Sequence, residues 1–75
     1  MEKLCNIKTG TIVKVENLTA EDILKERFLS LGLTKGALIE VLRKGPKNNL
    51  TVFKIRGAMI ALRKEEASLI NVSQF

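Results

Sequence analysis

Three observations predict a mainly β fold with one inserted helix, a small barrel of about five strands. Short runs rich in Val and Ile alternate with polar residues, one run from Ile23 to Leu31 has apolar residues at helical spacing, and glycines punctuate the junctions. A flat sheet of this size would leave its strand edges open to aggregation, whereas one that closes on itself hides them.

The first strand is predicted over Thr11-Ile12-Val13-Lys14-Val15, with Val13 and Val15 inward. Helix-start signals follow. Thr19 is the expected N-cap, Glu21 and Asp22 place negative charge in the first turn, and Leu18 is expected to staple onto Ile23. Ile23, Leu24, Phe28 and Leu31 then define one buried face. The helix stops at Gly32, expected as the C′ residue in a left-handed conformation, with Phe28 and Leu33 meeting in a Schellman contact. Gly36 then permits a tight turn.

Ala37 to Arg43 reads as the second strand, with Ile39 and Val41 on one face. Lys44-Gly45-Pro46-Lys47-Asn48-Asn49 is a turn by residue type. Leu50 to Ile55 is the third strand, Arg56-Gly57 a hairpin connection, and Ala58 to Arg63 the fourth strand with Ile60 and Leu62 inward. Lys64 to Leu69 fits a helical turn with Glu65 and Glu66 near its positive end, and Ile70-Asn71-Val72 closes as the fifth strand before a frayed Ser73-Gln74-Phe75. An SH3-like barrel, its helix after the first strand, is the most economical arrangement. An OB-like barrel is the alternative, but its helix falls between the third and fourth strands, where this chain has only Arg56-Gly57.

One domain over residues 1–75 is expected, since a chain of 75 residues supplies a core that is just sufficient and no deep substrate cavity. Charge is unevenly placed. Six basic residues balance six acidic ones up to Leu42, but Arg43, Lys44, Lys47, Lys54, Arg56, Arg63 and Lys64 follow with no acid among them. Such a surface can meet nucleic acid, an anionic membrane or an acidic protein face. A single cysteine, Cys5, cannot form an internal disulfide, and no apolar signal precedes it, so a cytoplasmic location is expected.

Chemistry is scarce. No histidine is available as proton shuttle or metal ligand, and one cysteine cannot build a thiolate cluster. Glu65 and Glu66 diverge from neighbouring positions and have no partner base or nucleophile, and Lys44-Gly45-Pro46-Lys47 lacks the spacing of a phosphate-binding loop. Only Phe53 lies in the basic half, and nucleic-acid platforms need more aromatic faces than that. No catalytic, metal or cofactor residues are therefore assigned.

Two stretches carry a family likeness. Arg27-Phe28-Leu29-Ser30-Leu31-Gly32-Leu33-Thr34-Lys35-Gly36 and the run from Gly57 to Val72, including Ile60-Ala61-Leu62-Arg63 and Glu66-Ala67, together resemble the FeoA family of ferrous iron transport accessory proteins. The likeness runs from about Gly10 to Val72. It implies an SH3-like barrel, a cytoplasmic location, no catalysis, and association with a membrane ferrous iron permease bearing a GTP-binding domain. A link to Fe2+ and to transition-metal binding is implied as well, with no intrinsic cofactor. The chain is also similar to the C-terminal domain of iron-dependent repressors, without room for their DNA-binding and dimerisation domains. It departs from the family at Lys35, where proline is usual, and at Lys47-Asn48-Asn49, which replace a loop often rich in glycine and aspartate.

The expected function is thus a non-enzymatic module that docks on such a permease through a cleft between loops. Leu31, Lys35, Lys44, Lys47 and Arg56 are the expected contact residues. The alternatives are a nucleic-acid-binding barrel and an oligomeric metal-binding regulatory domain, in which Cys5 or carboxylates from two chains would converge on an ion. A homo-oligomer is compatible with either kind of reading.

Overall fold

A computed structural model describes residues 1–75, the side chain of Asn48 excepted. Six antiparallel strands form one sheet: β1 (Glu2–Lys3), β2 (Ile12–Leu18), β3 (Leu38–Lys44), β4 (Leu50–Ile55), β5 (Ala58–Arg63) and β6 (Ile70–Gln74). Helix α1 (Asp22–Ser30) lies between β2 and β3, and the one-turn helix α2 (Lys64–Ala67) between β5 and β6. The spatial order is β1-β6-β2-β3-β4-β5.

Alternation sets the faces. Val13 and Val15 of β2, Ile39 and Val41 of β3, Phe53 and Ile55 of β4, Leu62 of β5, and Ile70 and Val72 of β6 all turn inward and are buried. They enclose Phe28 from α1, Leu33 beyond it and Leu4 from the 3-10 turn Leu4–Asn6. Each large side chain buried in this way contributes about 1.5–3 kcal/mol before entropy is counted. Two irregularities curl the sheet. The β2–β6 register shifts between Val15 and Asn17, and the β3–β4 register shifts between Val41 and Arg43. Bulges of this kind bend a strand and raise its twist.

Several sequence expectations change at the edges of elements. Thr19 does not cap α1, because its N–H (2.8 Å) and its hydroxyl (3.1 Å) both donate to the Leu69 carbonyl oxygen, tying it to the start of β6. The helix instead begins at Asp22 after Glu21. That shift rotates Ile23 outward, and at 82% exposed it staples nothing. Ser73 and Gln74 are not frayed, since β6 carries them into register with Lys14 and Val13 of β2.

The short strand β1, added to the five expected, pairs with β6 at the far margin. Among the described residues no hydrogen-bonded ladder joins β1 to β5, and α2 packs against both β5 and the 3-10 turn. An exposed ion pair adds to this seam: Arg27 Nη1 of α1 lies 2.6 Å from Glu66 Oε2 of α2.

Candidate docking face

Leu33 donates its N–H to the Phe28 carbonyl at 3.1 Å, and Gly32 donates to the Leu29 carbonyl at 3.0 Å. These are the two bonds of a Schellman motif, with Gly32 at φ +95° as C′ and the buried Phe28 and Leu33 supplying its apolar contact. A tight turn follows, closed by the Ala37 N–H on the Thr34 carbonyl at 2.9 Å, with Gly36 at φ +86° in its third position. Lys35 stands second in that turn and is exposed.

Arg56 comes to the same corner from the opposite direction. It and Gly57, at φ +50° and +81°, form the two-residue turn between β4 and β5, where positive φ at both positions matches the strand twist. Arg56 Nε donates to the Gly32 carbonyl at 3.2 Å, and Nη2 donates to the Thr34 hydroxyl at 2.7 Å. An added Cβ on Gly32 would lie 2.8 Å from Arg56 Cδ. Gly32 is therefore needed for its backbone angle, and a side chain there would also push the Arg56 side chain aside. Lys35, Gly36, Ala37, Leu38 and Arg56 line a shallow depression of about 370 Å³ at this corner.

The five expected contact residues do not share one cleft. Lys35 and Arg56 meet at the depression, and half-buried Leu31 sits just before Gly32 at the same helix end. Lys44 and Lys47 lie at the other end of the β3–β4 ribbon, because Ile39 pairs with Ile55 near Arg56 whereas Lys44 pairs with Thr51 beside the far turn. Four to five residues of strand separate the two ends, roughly 13–17 Å. Lys47 is exposed at φ +59° and makes no hydrogen bond or ion pair among the described residues.

Two exposed apolar groups beside these turns were not among the expected contacts: Leu38, 42% exposed, and Met59, 72% exposed. Alternation with the inward Ile39 and with Leu62 was the sequence signal that could have found them.

Electrostatics at α2 is local. Glu66 accepts the Arg63 N–H at 2.9 Å, which together with the Arg27 guanidinium holds its carboxyl below the usual carboxylate range against a smaller opposing effect of burial. On the bulge of β2, the hydroxyl of Ser73 donates to Glu16 and lowers that carboxyl too. No group of three or more His, Cys, Asp or Glu side chains stands together as a metal-binding cluster among the described residues. Cys5 is free and half-buried. Phe28 and Phe53 are both buried, and Phe75, after β6, is exposed.

A curled sheet with an apolar interior, Thr51 being the one buried polar residue described, defines a small SH3-like barrel whose chemistry lies in its turns. The FeoA domain model matches residues 2–74, and the chain belongs to the FeoA family. It is 33% identical over 67 residues to a Helicobacter pylori (strain J99) protein provisionally named Fe(2+) transport protein A, covering 89% of this chain and 83% of that one. The solution structure of iron(II) transport protein A from Clostridium thermocellum matches with a TM-score of 0.91 at 32% identity, over 96% of this chain but 44% of that one. The zinc complex of FeoA from Stenotrophomonas maltophilia, described as a procaryotic SH3 domain protein, matches with a TM-score of 0.86 at 26% identity, over 97% and 91% of the two chains. No helix among the described residues is long and apolar enough to cross a membrane.

Proposed function

We propose that this chain is a non-enzymatic accessory module of ferrous iron transport that docks, in the cytoplasm, on a membrane iron permease carrying a GTP-binding domain and modulates uptake. The observation that carries the reading is the family match over residues 2–74, joined to turns that expose the cations Lys35, Lys47 and Arg56 and, beside them, the apolar Leu38 and Met59. Such groups suit protein recognition. The contact surface is expected at two patches, the corner of Leu31, Lys35 and Arg56 and the turn of Lys44 and Lys47, both of which lie on the β3–β4 ribbon or abut it.

Uptake of labelled ferrous iron by cells that contain the permease, with and without this chain, tests the role. The rate is expected to change when the chain is removed and to recover when it is restored. An unchanged rate would contradict an accessory function.

A further inference from the structure

The edge of β5 is the longest unpaired main chain in the molecule's sheet. The opposite edge, β1, is only two residues long, whereas β5 runs six residues, from Ala58 to Arg63. Which of its groups are free follows from the turn. In a two-residue hairpin the flanking residues exchange both main-chain hydrogen bonds, so Ile55 and Ala58 form a bonded pair and the pattern alternates from there. Phe53–Ile60 and Thr51–Leu62 are bonded pairs as well. Met59, Ala61 and Arg63, opposite Lys54, Val52 and Leu50, must then point N–H and C=O away from β4.

An independent contact fixes that phase, for the Arg63 N–H is bonded outward to Glu66 Oε1 at 2.9 Å. The N–H and C=O groups of Met59 and Ala61 have no such partner among the described residues, and both residues are exposed. Natural edges of this length are usually blunted by a bulge, a proline or charged side chains, and of these β5 has only Arg63, at its last position.

Charge selects the occupant. Lys54 sits beside Met59 on the outer face, Arg63 lies on the strand itself, and Arg56 and Lys64 stand at its two ends. Among nearby acids, Glu40 lies opposite Lys54 in the strand register, Glu66 is engaged by Arg27 and the Arg63 N–H, and Glu65 is exposed beyond Lys64, so the cations along the edge outnumber the acids beside it. A second copy laid along this edge would set these cations against their own kind.

We propose that the free edge of β5 is a strand-addition site for an extended acidic segment of a partner protein. The segment forms bonded pairs with Met59 and Ala61. Its acidic side chains lie on the outer face near Lys54 and Arg63, and the alternate ones cover half-buried Ile60 on the other face. The proposal rests on the docking reading for its partner, but it can fail alone, because its test needs no permease.

Isotope-labelled full-length chain is titrated with a capped peptide of alternating Glu and Val, and in parallel with one of alternating Lys and Val. The acidic peptide is expected to shift the amides of Met59 and Ala61 most and to slow their hydrogen exchange, and the basic peptide to do neither. Ala61→Pro removes a free-edge N–H without touching a β4 bond, so it is expected to fold with a near-normal melting temperature and to weaken the acidic peptide by about tenfold or more. Met59→Pro is the second variant, with the same expectation. Equal binding of the two peptides, shifts confined to another surface, undiminished affinity in folded proline variants, or self-association along β5 would each overturn the proposal.

Discussion

The two turns at the ends of the β3–β4–β5 ribbon carry the same kinds of residue and do different work. Arg56 and Lys47 are both cations at positive φ, +50° and +59°, on exposed turns. Arg56 is spent on the fold, its guanidinium bonded to the Gly32 carbonyl and the Thr34 hydroxyl so that the β4–β5 turn is pinned to the end of α1. Lys47 is bonded to nothing described and projects into solvent. Equal charge in a sequence thus conceals unequal availability, since the Arg56 guanidinium is already hydrogen-bonded and the Lys47 side chain, among the described residues, is not.

Gly32→Val is expected to break the pinned corner most completely. It forces a β-branched residue into φ +95° and drives its Cβ to 2.8 Å from Arg56 Cδ, so a loss of about 2 kcal/mol or more is predicted from a denaturant midpoint. The Arg56→Ala background sharpens the point. There the clash is gone and the backbone strain remains, so the cost of Gly32→Val should shrink without vanishing.

Arg56→Ala by itself removes two hydrogen bonds of an exposed side chain and should cost about 1 kcal/mol. Lys47→Glu should leave stability within about 0.5 kcal/mol. Equal costs for these two substitutions would erase the distinction between the turns. Arg56→Glu makes a poor docking probe, since it sets a carboxylate against the Gly32 carbonyl, and Arg56→Lys is the better choice.

The seam between α1 and α2 responds to acid. Glu66 has its carboxyl lowered by the Arg63 N–H and by Arg27, so its contribution is fully present above the unfolded-state pKa and is lost as pH falls through the lower folded value. Melting temperature should therefore decline as the solution is acidified below about pH 4. Glu66→Gln should flatten part of that decline, and Glu16→Gln, which leaves Ser73 an acceptor oxygen but removes the ionisable carboxylate, should flatten another part. A decline identical in all three proteins would show that neither carboxylate is coupled to folding.

Much of this architecture can be read from the sequence because it is encoded locally. Gly32, Phe28 and Leu33 specify a helix stop through one backbone angle and one apolar contact, and alternation in Thr11 to Val15 and Ala37 to Arg43 identifies which side chains turn inward. What stays hidden depends on residues far apart in the chain. Thr19 has the composition of a cap, but Leu69, fifty positions later, captures it, and that capture delays α1 and turns Ile23 outward. Ser73 and Gln74 lack any strand signal of their own and are ordered by pairing with β2. The contact residues illustrate the same limit, since nothing in residue type separates Arg56, held by Gly32 and Thr34, from Lys47, held by nothing described.

Titration of this chain with the isolated GTP-binding domain of the permease proposed as its partner, followed calorimetrically, tests the central claim most directly. Saturable binding is predicted, weakened about tenfold or more when Lys44 and Lys47 are both changed to Glu and nearly unchanged by Arg56→Lys. No binding by the unaltered chain, or equal affinity for the doubly substituted one, would contradict docking through the free lysine turn.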